Sequence, residues 1–212
     1  GWATATNNIK NCINDGMIVG TENIGGFVGT FGSTEEEEKL TISNCINKTN
    51  ITAENNVGGI IGYSVGETCN IENCINEGNI TANNDNAGGI AGSVYEKFTV
   101  KNCYNQGDIT AKANMAGPII GRADLSKETA FLTGYNCLGN GKVTAVLFAG
   151  YFIGGIYGDL SRTKIEKCSL GENGSWDETS TEFPNYSNYT YGSYVGGVGV
   201  SDLDPVVLYA NI

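Results

Sequence analysis

The chain contains no histidine, which removes the ligand that most catalytic zinc sites depend on. Positive charge is scarce as well. Twelve Lys and Arg stand against 23 Asp and Glu, for a formal net charge of −11, so neither nucleic acid nor an anionic membrane would be gripped electrostatically. Arginine occurs only at Arg122 and Arg162, each expected in a different inter-strand connection. No run of 18 apolar residues is present to span a bilayer, and no membrane insertion is expected of this segment. The N-terminus lacks the basic and apolar regions of a signal peptide. The expectation is therefore a mature chain or a fragment whose export signal has been removed, with Gly1 as an added residue.

Proline is also rare, at three residues, whereas glycine reaches 31 of 212 and Asn and Thr are abundant throughout. That combination suggests many tight corners joined by short extended pieces. At 40% hydrophobic and 17% charged the chain is globular in composition.

What fills the chain is a repeat. "NCINKTNITAENNVGGIIG" at 44–62 returns as "NCINEGNITANNDNAGGIAG" at 73–92. Six of the seven cysteines, at 12, 45, 74, 103, 137 and 168, occupy one repeat position, at intervals of 33, 29, 29, 34 and 31 residues. Asn precedes five of them (Asn11, Asn44, Asn73, Asn102, Asn136), and Lys167 precedes the sixth. Two residues after the cysteine come Asn14, Asn47, Asn76 and Asn105, then Gly139 and Leu170. A β-type segment follows ("MIVG", "NITA", "NITA", "DITA", "KVTA"), and each copy closes on "GGFVG", "GGIIG", "GGIAG", "GPIIG", "GGIYG" (154–158) or a worn "GGVG" (196–199).

Within each copy, Ile9, Ile42, Ile71, Val100 and Ile165 lie three residues before a cysteine and cannot share a flat strand face with it, because strand faces alternate with period two. A bend must intervene, and the intervening Asn tolerates the left-handed backbone a sharp corner needs. In "NITA", by contrast, Ile80 and Ala82 share a face, as a straight half-buried strand requires. The glycine pair supplies another corner, and the apolar residue after it (Phe27, Ile60, Ile90, Ile119, Ile156) points inward.

One such coil cannot bury its apolar face alone, but stacked coils make a continuous core. The expected fold is all-β: a right-handed parallel β-helix, or solenoid, of about six coils with three short strands per coil, on the order of 30 Å long. Residues 1–170 carry the repeats. Residues 171–212 read as a degenerate terminal coil of the same domain with an aromatic-rich insertion.

Several chemistries can be weighed directly. The cysteines are expected as a ladder of buried free thiols rather than disulfides, since in-register side chains run parallel and seven would leave one unpaired. No CxxC pair occurs and the Cys69–Cys74 spacing matches no common zinc site, so no metal and no cofactor are expected. The "EEEE" run at 35–38 reads as a solvated loop, with calcium the alternative.

The repeat "C-x-N-x-G-x-I-x-A" followed by "GG-I-x-G", over residues 9–158, resembles the GLUG-type repeats of bacterial surface and adhesin-like proteins and of the flanks of immunoglobulin-A metallopeptidases. The resemblance implies an exported or surface-attached, β-helical and non-catalytic segment, and it implies no ligand. The peptidase's zinc site needs histidines, so that activity is not expected here.

The functional expectation is an extracellular or cell-surface structural and adhesive module, monomeric or part of a longer chain, binding a host glycan or surface protein through corner loops. The alternative is a β-helix polysaccharide lyase or glycoside hydrolase-like enzyme, which would need paired carboxylates or acids with a cation. The candidate loops are the longer corner stretches at 30–43 and 122–135. The candidate ligand surface is "WDETSTEFPNYSNYTYGSY" at 176–194, in which Trp176, Phe183, Tyr186, Tyr189, Tyr191 and Tyr194 offer amphipathic rings that stack on sugars or anchor a protein, or that cap the solenoid's end.

Overall fold

A computed structural model describes residues 1–32, 38–178 and 195–199, with 176–178 and 195–199 described by their backbone alone. Among the described residues every strand pairing is parallel, and the strands stack into five ladders of a β-solenoid of about five turns, close to the six coils expected. The three arms expected per coil resolve into five short strands. In the coil beginning at residue 68 they are Thr68–Glu72, Ile75–Asn76, Ile80–Ala82, Ala87–Gly88 and Ala91–Val94, which belong to the first to fifth ladders in that order. Among the described residues the one helical element is the 3-10 turn Leu160–Arg162.

The break between the first two ladders is the corner inferred from the sequence. Asn11, Asn44, Asn73, Asn102 and Asn136 all sit at φ between 51° and 55°. Lys167 adopts φ 55° at the same place without the residue type that favours it, a local strain the surrounding rungs impose. The corner turns the following thiol inward. Cys45, Cys74, Cys103, Cys137 and Cys168 are buried, Cys12 on the first rung is partly so, and all seven cysteines are free. Each thiol of the row donates to the carbonyl two residues before it, as in Cys74 Sγ to Glu72 O at 3.3 Å. Burial pushes the Cys45 thiol up to about 11, and pushes Cys69, on the inner face of the first ladder, up to about 12.

The second ladder carries the asparagines that follow the cysteines, and they form a continuous internal chain of amides. Asn14 Nδ2 donates to Asn47 Oδ1 (2.8 Å), Asn47 to Asn76 (2.8 Å) and Asn76 to Asn105 (2.7 Å). Each of Asn47, Asn76 and Asn105 spends its other N–H on the carbonyl two residues ahead. Fully buried amides are tolerated because their polar atoms are paired in this way. The glycine pairs exist partly for this ladder: a Cβ on Gly59 would lie 2.4 Å from Asn76 Cγ, and one on Gly89 2.4 Å from Asn105 Cγ. Where the ladder residue becomes Gly139, the glycine facing it becomes Pro118, whose ring takes the vacated space, 2.4 Å from a Cβ built on Gly139.

The fifth coil departs from the register expected of it. Ile120 pairs with Ile153 and Ala123 with Ile156, so "GYFIG" at 150–154, not "GGIYG" at 154–158, stands above "GPIIG" at 117–121. Phe152, not Ile156, is the counterpart of Ile119. Ile156 is buried as expected, but four residues further along, level with Ala123. Phe152 is large because a neighbour is absent: Gly134 replaces the apolar residue three before Cys137, and its missing Cβ would lie 2.5 Å from Phe152 Cζ. The first copy also departs. "MIVG" at 17–20 forms no strand, and Met17 and Val19 are exposed, so the third ladder begins with Ile51–Ala53.

Candidate functional site

The closing glycine of each repeat decides where the rod has a groove. A Cβ on Gly62 would lie 2.5 Å from the Asn23 carbonyl carbon, and one on Gly92 2.5 Å from that of Asn56. Only glycine lets the fifth ladder run back so close against the fourth. That approach sets the outward residues of the fifth ladder beside the corner side chains of the fourth.

The fourth-ladder wall is built from two rows. Asn23, Asn56 and Asn86 hold φ of 54°, 52° and 64°, and chain their amides from Asn86 Nδ2 to Asn56 Oδ1 (2.9 Å) and from Asn56 Nδ2 to Asn23 Oδ1 (2.8 Å). Beside them runs a mixed row of carboxylates and amides. Glu22 Oε1 accepts from Asn55 Nδ2 (3.2 Å), Asn55 Oδ1 from the Asp85 backbone N–H (3.3 Å), and Asp85 Oδ1 from Asn114 Nδ2.

The facing wall comes from the fifth ladder, where Thr30, Tyr63, Ser93 and Arg122 lie in register on successive rungs. Ser93, fully buried between two large neighbours, donates its hydroxyl to Asn56 Oδ1 at 2.7 Å and ties the two walls together. The Tyr63 and Tyr95 rings meet edge to face with centroids 5.3 Å apart. The Arg122 guanidinium lies over Tyr157 (4.5 Å) and against Tyr95 (5.5 Å), and its Nη2 donates to Asp124 Oδ2 at 2.9 Å. Its Nε is buried with no hydrogen-bond partner. Burial pushes the Tyr95 hydroxyl up to about 12, so it stays a neutral donor. Together Glu22, Asn23, Asn55, Asn56, Tyr63, Asp85, Asn86, Tyr95 and Arg122 line an open groove of about 400 Å³.

The expected site residues fall elsewhere. Phe183, Tyr186, Tyr189, Tyr191 and Tyr194 lie outside the described residues, as do Glu35, Glu36 and Glu37 of the acidic run. Trp176 is placed by its backbone, paired with Val143 in the third ladder. Glu38 is not part of a solvated loop: it is buried, and its Oε1 accepts from the Ala5 backbone N–H. The stretch 122–135 is mostly strand, since Ile120–Leu125 and Phe131–Tyr135 leave only 126–130 as a connection. Arg122 accordingly belongs to a ladder and not to a loop. Asp108 and Asp159 both serve the backbone. Asp108 Oδ1 accepts from Lys142 N at 2.8 Å, and Asp159 caps the 3-10 turn, its carboxyl held low by the Ser161 hydroxyl and backbone N–H and then by Arg162.

Among the described residues no group of three or more Cys, Asp or Glu is arranged to hold a metal ion, and no helix is long and apolar enough to cross a membrane. The groove tyrosines were missed in the sequence because Tyr63, Ser93 and Arg122 share no residue type. Aligning the position after each closing glycine would have gathered them.

The GLUG motif matches residues 53–81 and 83–110, the two coils that build the middle of the groove. The chain carries two copies of the GLUG motif, at these residues. The chain is also similar in structure to a protein from Bacteroides ovatus described as a "putative immunoglobulin A1 protease", at 21% identity with a TM-score of 0.62 over 85% of this chain. The chain spans about half of that structure, 55% of its length, and at this identity the likeness concerns the fold. No curated protein matches the chain.

Proposed function

We propose that this GLUG solenoid is an extracellular, non-catalytic adhesive module of a bacterial surface protein, a rod that presents the Tyr63–Tyr95–Arg122 groove to a ligand. The observation that carries the reading is the groove itself, where tyrosine rings and amide and carboxylate groups converge on open space. The resemblance to surface and adhesin-like proteins supports the location.

The test uses beads coated with the whole chain, presented to mucin and to epithelial cell surfaces, with the Tyr63→Ala/Tyr95→Ala double variant alongside. Retention by the parent and its loss in the variant is the expected result. Equal retention of both would remove the groove from the proposal.

One observation favours the second reading, a polysaccharide lyase. Arg122 and Asp124 form an acid–cation pair at the groove, the combination that could stabilise a carbanion. Glycan turnover abolished by Asp124→Asn would establish it.

A further inference from the structure

We propose that the groove binds an uncharged, extended glycan lying parallel to the rod axis, with successive sugars on successive rungs. This rests on the reading of the groove as the ligand surface and adds the chemical class and orientation of the ligand.

Electrostatics excludes an anionic ligand. Arg122 is the groove's one cationic lining residue and is neutralised by Asp124, while Glu22 and Asp85 add two negative charges, on a chain of net charge −11. A uronate, sulfate or phosphate would enter against that field.

Hydrogen-bonding capacity points to hydroxyls. Asn23, Asn55, Asn56 and Asn86 present amides, which donate and accept. Glu22 and Asp85 are acceptors, and Tyr95 is a neutral donor. Sugar hydroxyls, which also donate and accept, match such a mixed set. An extended peptide is disfavoured because it would bind by adding a strand to a sheet edge. The groove runs across the rungs, and the strands that line it are paired above and below except Glu22–Gly25, which ends the fourth ladder.

The tyrosines supply the apolar component. Because Tyr63 and Tyr95 meet edge to face, they leave a ring face for the C–H side of a pyranose.

The repeat length sets the orientation. The lining residues rise from Glu22 through Tyr63 and Tyr95 to Arg122 on four successive rungs. Three steps of about 4.8 Å make a wall roughly 14 Å long. One rung is close to the advance of one sugar in an extended chain, so about three sugars would each meet an equivalent amide or carboxylate.

The experiment is isothermal titration of the whole chain with neutral hexose and N-acetylhexosamine oligomers of one to six residues, and with uronate- and sulfate-bearing oligomers of the same lengths. The expected result is binding of neutral oligomers only, with affinity rising to about the trimer and then levelling. Tyr63→Ala and Tyr95→Ala should each weaken it roughly tenfold, about 1.4 kcal/mol, in a chain whose circular dichroism stays that of the folded parent, because both rings lie outside the core. Preference for the anionic series, neutral binding indifferent to both tyrosines, or no glycan binding at all would overturn the inference. Groove-dependent bead retention on cells would survive the last of these outcomes and leave the adhesive reading standing. Cleavage of a bound neutral oligomer would instead overturn the non-catalytic reading and keep the ligand class.

Discussion

Asn76 is the rung on which the internal amide ladder can be tested most severely. Its Oδ1 accepts from Asn47, and its Nδ2 donates to Gly78 O and to Asn105 Oδ1, all at 2.7 to 2.8 Å in a site with no solvent exposure. Asn76→Ala leaves three polar groups short of a partner: one N–H of Asn47, the Gly78 carbonyl and Asn105 Oδ1. A stranded buried group costs about 1–3 kcal/mol, and because some of these atoms keep a second partner the sum should be about 3–6 kcal/mol. Asn14→Ala is the control, since Asn14 is half-buried on the first rung and contributes one ladder bond, for a cost of about 1 kcal/mol. Guanidinium unfolding followed by circular dichroism, with amide exchange to locate the opened rungs, measures both. The ladder argument fails if Asn76→Ala proves no more costly than Asn14→Ala. Asn76→Asp sharpens it. The introduced carboxylate would face two acceptors in a buried site, which raises its folded pKa above the unfolded value of about 3.9. The variant should therefore be most stable below that pH and lose stability as pH rises.

Three further expectations follow from the packing. The thiols of Cys45, Cys69, Cys74, Cys103, Cys137 and Cys168 should resist a thiol reagent in the native state and react on denaturation, with the part-exposed Cys12 reacting first; a native mass showing disulfides would refute the ladder. Because burial raises the thiol pKa of Cys45 to about 11 and that of Cys69 to about 12, these two groups should weaken folding as pH climbs from about 8.5, the unfolded value, through 11, a slope that equilibrium unfolding at several pH values would reveal or deny. Gly139→Asn alone should destabilise by about 1–3 kcal/mol against the Pro118 ring, whereas adding Pro118→Gly should recover much of the loss by extending the amide ladder; a double-mutant cycle without favourable coupling would dismiss the exchange.

Much of the architecture was legible in the residues because a stacked repeat writes each structural requirement many times. An asparagine before five cysteines announced a left-handed corner. Ile-Thr-Ala announced a straight strand, and the glycine pairs announced a site of close approach. Legibility failed where the pattern wore thin. "GGIYG" looks like the closing motif, yet the chain places "GYFIG" there, because Phe152 fills the space that Gly134 leaves on another ladder, a match between positions 18 residues apart in sequence. "MIVG" has the composition of a strand, but Met17 and Val19 stay exposed and no strand forms, since strand propensity expresses fit to a half-buried sheet surface.

The candidate site divides in the same way. By itself the sequence determined the period and the inward row of Ile, Ala and Cys, since these depend on residue type at a fixed spacing. Tertiary structure alone decided that the column of Tyr63, Ser93 and Arg122 stands beside Asn23, Asn56 and Asn86. That arrangement depends on how closely one ladder can approach the next, and the approach is set by the Cβ atoms that Gly62 and Gly92 lack.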